Sequence, residues 1–356
     1  MSARRSLQVL LHKPFMRANE PYFRVHQYSD SLTRLGHQVE LLDFGRLRGG
    51  LAGRFKSVFL QLVASTKSFR RCDVVFVTPH PLFALYVLLA KALGRRVVID
   101  QILTYVSHAE IFAWFPRALD AWVYRRADAI LTHSETMRGE LTAAFRVDPE
   151  RVEVVYPVLD LTLFSRRYEA EAEALRRELG IKDRFVVLYH GMWHRWHGLR
   201  YLYEAARLLE AHPEIVFVVI PKDGEPNRDN LLFIEEQPFE RLPVYLQMAD
   251  AWCSGFDTDV RGERAFSSTL IQALAMGLPV VTGRAGERGG MLRDGVEARL
   301  VPLRDSSAIA RAVLDLAARP EVAREMGRRA RMLAEAHFSI DRLDRALAVL
   351  LARASR

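Results

Sequence analysis

The 356-residue chain predicts an α/β protein made of two successive doubly wound halves. Three observations carry this. Short continuous apolar runs recur, such as Val74–Thr78 and Ile215–Ile220, of the kind a parallel strand covered on both faces requires. Stretches with helical spacing lie between them, several closed by a glycine, as at Gly36 and Gly277. The alternation then starts afresh after a charged stretch at residues 159–182, which for this length fits two domains.

The elements follow in order. Leu7–Leu11 reads as a first strand and His12–Tyr22, with two prolines, as an irregular loop. Tyr22–Leu35 has helical spacing, and Val39–Leu42 is the second strand. Val74–Thr78 is the third, followed by a proline turn and a helix over Leu82–Leu93. Val97–Ile99, Ala129–Thr132 and Val152–Tyr156 complete the first series. The joint carries a charged helix, Tyr168–Leu179. In the second series, strands are expected at Phe185–Tyr189, Ile215–Ile220, Leu231–Glu235, Asp250–Cys253, Val280–Thr282 and Arg299–Val301. Helices are expected at Leu199–Leu209, Leu242–Met248, Ser307–Ala318, Glu321–Ala336 and from Ile340 to the end. Ligands of open parallel sheets sit beyond the carboxyl ends of the strands, so the crevice between two such sheets is the expected site.

Composition narrows the partners. Half the residues are apolar and about a quarter charged, as in ordinary globular chains. The two cysteines, Cys72 and Cys253, match no metal or redox spacing and suit a reducing cytosol. The apolar run Leu7–Leu11 is too short for a leader, and no run reaches membrane-spanning length. The net charge is +7 over residues 1–160 and +1 over the rest. A basic half suggests an anionic partner. No nucleic-acid-binding motif is present, which leaves a phosphorylated substrate or anionic lipid. Residues 46–71, and Trp114, Phe115, Trp122 and Tyr124 beside Arg117, Arg125 and Arg126, mix basic and apolar groups as surface-lying amphipathic helices do. A cytoplasmic protein, peripheral on the inner face of a membrane, is the expectation.

The most informative stretch is Ser267–Gly283, SSTLIQALAMGLPVVTG. It reads as a hydroxyl-capped helix start, a short helix, a glycine stop and a buried strand. A helix start beside a strand is a natural anion site, because unpaired N–H groups and the helix dipole both favour phosphate. This stretch extends to residue 305 as a block that resembles the most diagnostic segment of the GT-B glycosyltransferases, closest to the retaining group called family 4. The segments 185–209, 242–256 and 337–342 are similar to that family's Gly loop, "AD" strand and last-helix start. In the first half, 29–42, 127–141 and 151–164 match its other characteristic stretches. The resemblance covers nearly the whole chain and implies two facing Rossmann-like domains with a deep cleft. It implies an acceptor-binding domain at 1–164, a nucleotide-sugar domain at 165–339, and a helix at 340–356 that packs back on the first domain.

Carried over residue by residue, several family positions are changed. Gly191 stands in the Gly loop, but the family's diphosphate-binding Arg and Lys fall on Met192 and His197. Arg195, between them, supplies a lasting positive charge. Of the family's paired glutamates, the second corresponds to Gln272, which can bond a ribose hydroxyl without charge. The first falls on Arg264, and a one-residue slip restores Glu263. Ser267, Ser268 and Thr269 lie where backbone N–H groups would cradle the diphosphate. The first-half loop lacks the family's glycines, leaving Lys13 and Arg17 to reach phosphate or acceptor through side chains. The family histidine near the reacting centre falls near Ile102, with Asp100 and His108 as nearby polar groups. Glu263, His108 and Asp100 are therefore the candidate catalytic side chains.

The resemblance implies transfer of a sugar from a nucleotide-diphosphate sugar to a hydroxyl acceptor, with retention of configuration. Three acceptor classes stay open: lipid-linked, polysaccharide or small molecule. No cofactor or metal is expected. A catalytically degenerate GT-B protein acting as a binding or partner subunit, or a sugar-nucleotide epimerase, stay open as alternatives.

Overall fold

The computed structural model describes residues 6–13, 24–43, 63–79, 83–101, 117–191, 198–221, 226–254, 266–284 and 290–354. The chain divides into two compact units. The first comprises Met1–Tyr156 with Asp341–Arg356, the second Pro157–Ile340. The division falls after Tyr156 rather than after residue 164, because Leu159 N–H bonds the Phe338 carbonyl and Phe164 is buried in the second unit.

The first unit contains one six-stranded parallel sheet in the order β2-β1-β3-β4-β5-β6. Its strands are β1 (Gln8–Lys13), β2 (Gln38–Asp43), β3 (Val74–Val77), β4 (Arg96–Gln101), β5 (Ala129–Thr132) and β6 (Val152–Val154). Around it lie α1 (Arg24–Arg34), α2 (helical over residues 63–71), α3 (Phe83–Ala92), α4 (Arg117–Arg126) and α5 (Glu135–Phe145). The core joins aliphatic strand residues to aliphatic and aromatic side chains of the helices. Tyr124 of α4 stacks on Phe145 of α5 at 4.7 Å, and Phe69 meets Tyr86 edge-on.

In the described part of the basic and apolar segments, several apolar side chains pack inward. Phe69, Val123 and Tyr124 are buried against the sheet, and Trp122 is half-buried under Arg126. No helix among the described residues is long and apolar enough to cross a membrane.

The second unit repeats the plan in the order β12-β11-β10-β7-β8-β9. Its strands are β7 (Phe185–His190), β8 (Ile215–Ile220), β9 (Leu231–Phe233), β10 (Ala251–Ser254), β11 (Val280–Gly283) and β12 (Ala298–Val301). Its helices are α6 (Glu169–Glu178), α7 (Leu199–Leu208), α8 (Leu242–Met248), α9 (Ser268–Ala275), α10 (Ser306–Ala318) and α11 (Pro320–His337). Counted from its own first strand, this is the 3-2-1-4-5-6 order of a dinucleotide-binding sheet, with its direction reversing between β7 and β10.

The last helix, α12 (Ile340–Ala354), belongs to the first unit. Asp344 holds it there, accepting from Arg34 at 2.8 Å and from Ser31 Oγ at 2.5 Å on α1.

Candidate functional site

The reversal point of the second sheet brings together two loops far apart in sequence. Gly191 ends β7, and α9 begins opposite it. Gly191 has φ +142°, a conformation L side chains rarely adopt, and its N–H donates to the Ile220 carbonyl at 3.0 Å. A Cβ there would stand 3.1 Å from Thr269 Cγ2 and 3.4 Å from the Tyr189 hydroxyl. The absent side chain is therefore what allows the strand end to approach the first turn of the helix.

The opening of α9 is built from its hydroxyls. Ser267 is the N-cap: its extended backbone turns the chain, and its Oγ accepts from Leu270 N–H at 3.2 Å. The same Oγ lies 3.2 Å from Thr269 Oγ1. The N–H groups of Ser268 and Thr269 make no hydrogen bond within the described residues, so they face outward as donors. At the other end the helix is closed. Arg166 Nε donates to the Met276 carbonyl at 2.6 Å, and Arg331 to that of Ala275. Two cations at the carboxyl end complement the dipole, leaving the amino end to attract an anion.

Gln272 lies one turn inside, buried, and its orientation follows from a chain of donors. Trp252 of β10 sits opposite Leu188 of β7, so its indole shares a sheet face with His190. An indole N–H can only donate, and Trp252 Nε1 lies 3.0 Å from His190 Nδ1. His190 Nδ1 is therefore unprotonated, and Nε2–H donates to Gln272 Oε1 at 2.7 Å. That fixes the amide: its oxygen is taken, and its NH2 makes no hydrogen bond among the described residues. Gln272 thus offers donors to a ligand, where a glutamate would offer acceptors.

Burial pushes the His190 imidazole down to about 4, keeping it neutral at ordinary pH. A prediction follows. In the unfolded chain the ring takes a proton near its usual value of about 6.5. Between that value and about 4 the unfolded state binds more protons, so stability falls as pH drops through this window. The full span is worth about 3 kcal/mol. Urea denaturation across this range should show the slope, and the His190→Leu variant should flatten it; an unchanged slope would refute the assignment.

The structure thus brings Gly191, Ser267, Ser268, Thr269 and Gln272 together. Arg195, His197 and Glu263 lie outside the described residues, as do Met192 and Arg264. So do Arg17 and His108, and only the backbone of Lys13 is described. Asp100 stands at the end of β4 in the first unit, buried, paired with Arg24 at 3.2 Å and accepting from the Tyr28 hydroxyl at 2.8 Å. Burial pushes its carboxyl up, against the pull of Arg24. His190 and Trp252 were not anticipated from sequence. A polar ring ending a strand read as Phe185–Tyr189 was the one available signal.

Comparison with known proteins bears on the family and the fold. Residues 171–332 match the family model described as glycosyl transferases group 1, and residues 23–163 that of glycosyltransferase family 4. A D-inositol 3-phosphate glycosyltransferase of Streptomyces scabiei is 28% identical over 60% of this chain and 51% of its own, so the chain spans about half that relative's length. A GDP-mannose-dependent alpha-(1-6)-phosphatidylinositol monomannoside mannosyltransferase of Mycolicibacterium smegmatis is 27% identical over 75% of this chain and 72% of its own. The crystal structure of Anabaena HepE in complex with UDP superposes with a TM-score of 0.77 at 15% identity, covering 97% of this chain and 99% of that one. The sheet orders, the two matched models and this superposition together show that the chain belongs to the family-4-like glycosyltransferases of the GT-B fold.

Proposed function

We propose that the protein transfers a sugar from a nucleotide-diphosphate sugar to a hydroxyl acceptor, the second unit holding the donor and the first the acceptor. One observation carries this reading. The N–H groups of Ser268 and Thr269, unpaired among the described residues, open at the reversal point of a dinucleotide-type sheet, against a strand end kept bare by Gly191. That arrangement suits a diphosphate, which gathers negative charge as the sugar departs. Arg195 and His197, which follow Gly191 in the sequence, would add side-chain donors to the same leaving group. The Gln272 amide then donates to a ribose hydroxyl oxygen. Anabaena HepE, also crystallised with UDP-glucose, supports a nucleotide-sugar donor.

Retention of configuration is the outcome the family relationship favours. The two relatives are named for an inositol phosphate and for a phosphatidylinositol mannoside, which favours a polyol or lipid-linked acceptor. The test is thermal unfolding with UDP, GDP, UDP-glucose and GDP-mannose. A ligand that binds the folded state raises the midpoint by mass action. At least one of the four should do so. Gln272→Leu should weaken that ligand about fivefold to tenfold, the worth of one hydrogen bond to a neutral group. No rise with any of the four would overturn the reading. Binding without release of sugar, even with polyol acceptors supplied, would instead favour a non-catalytic binder.

A further inference from the structure

At the carboxyl end of the first sheet, β5 lies between β4 and β6. Arg24 bridges over it. Its Nε faces Asp100 Oδ1 of β4 at 3.2 Å, and its Nη1 donates to the Val155 carbonyl, just past β6, at 2.9 Å. The guanidinium therefore crosses the end of β5, where Thr132 gives way to His133. Tyr28, one turn further along α1, donates to the same Asp100 oxygen and meets Arg24 Nε. Arg24 Nη2 and His133 Nε2 are buried and have no hydrogen-bond partner among the described residues. Asp100 Oδ2 makes no hydrogen bond among the described residues either. An unmade hydrogen bond at a buried nitrogen is costly, and the charge of Arg24 reaches the His133 ring, so the two together call for a ligand.

The chemistry selects the ligand. Arg24 only donates, Asp100 Oδ2 accepts, and a neutral imidazole does one or the other. Burial, then the charge of Arg24, lowers the His133 pKa and keeps that ring neutral. The positive charge of Arg24 is already met by Asp100. A phosphate or carboxylate would bring a second negative charge beside the buried Asp100. A hydroxyl accepts from Arg24 and donates to Asp100 or His133.

We propose that Arg24, His133 and Asp100 form a seat for the hydroxyl groups of an uncharged sugar or polyol. All three residues belong to the first unit; if the transferase reading above holds, the hydroxyl acceptor is the natural ligand of this class.

The test uses the full chain, with histidine imidazoles labelled for NMR and no nucleotide present. The His133 signals are assigned by their loss in His133→Phe. Methyl glucoside, myo-inositol and inorganic phosphate are titrated separately. A saturable shift of the His133 signals with at least one of the two polyols is expected. Arg24→Lys keeps the charge opposite Asp100 but removes the second arm, so the shift should need about tenfold more polyol. Binding followed by calorimetry should fall by a similar factor in His133→Phe. Thermal unfolding shows that each variant is folded; if one is not, the other decides. No shift with either polyol, unchanged affinity in the folded variants, or a response to phosphate alone would overturn the proposal. UDP and GDP binding is measured on the same samples. Polyol binding without nucleotide binding would sink only the donor reading, and the reverse would sink only the seat.

Discussion

The Gly191→Val variant is expected to bind the nucleotide donor about a hundredfold more weakly while remaining folded. Two effects act in the same direction. A φ of +142° costs a branched L residue about 1–3 kcal/mol where glycine pays nothing. The new Cβ also starts 3.1 Å from Thr269 Cγ2, and valine adds two methyls to it. Either relief disrupts the cradle. If the backbone relaxes toward negative φ, position 191 draws away from the helix start. If α9 retreats, the N–H groups of Ser268 and Thr269 withdraw from the diphosphate. Gly191→Ala carries most of the backbone cost with less crowding and should fall between the two. Nucleotide titration with parallel thermal unfolding separates affinity from folding. Wild-type affinity in the valine variant would mean that the nucleotide binds elsewhere.

How far this site could be read in advance depended on the kind of information each part needs. Ile215–Ile220 and Leu242–Met248 were legible to the residue, because a buried parallel strand is a continuous apolar run and the proline at position 243 marks a helix start. The cap at Ser267 and the stop at Gly277 were legible too, since local backbone chemistry chooses those residue types. The helix Glu135–Phe145 was not assigned from sequence. Its buried residues Met137, Leu141 and Phe145 do recur every fourth position, and Ser134 caps it. Gly139 and two threonines dilute the pattern, and tertiary packing outweighs propensity there.

The Trp252–His190–Gln272 chain was beyond sequence in a deeper sense. Its members are brought together by the register of β7 against β10 and by the face on which α9 lands. A histidine at a strand end has no signature that says which nitrogen is protonated. That is settled only when an obligate donor such as the indole is placed against it. The Arg24 bridge is of the same kind, since it joins a helix start to two strands that are separated in the sheet by a third.

The Gly327→Ala variant is expected to lose about 3 kcal/mol of stability, against the sign that helix propensity gives. Gly327 lies inside α11, where alanine is ordinarily better by about 1 kcal/mol. An alanine Cβ at this position would stand 2.2 Å from the carbonyl oxygen of Gly277 and 3.1 Å from its carbon. Both are backbone atoms of the turn that closes α9, so no side chain can swing aside. Gly277 itself has φ +64°, and its N–H bonds the Leu274 carbonyl at 2.9 Å. The turn is thus fixed from within, and α11 must move away. Moving it carries off Arg331, which bonds the carbonyls of Ala275 and Phe164. The carboxyl end of α9 then loses a cation that complements its dipole, and the amino end loses part of its pull on the diphosphate. Urea denaturation should show the lost stability, and nucleotide affinity should fall with it. A variant as stable as the parent would show that α9 and α11 have room between them, and that the donor-side helix is anchored by something other than this contact.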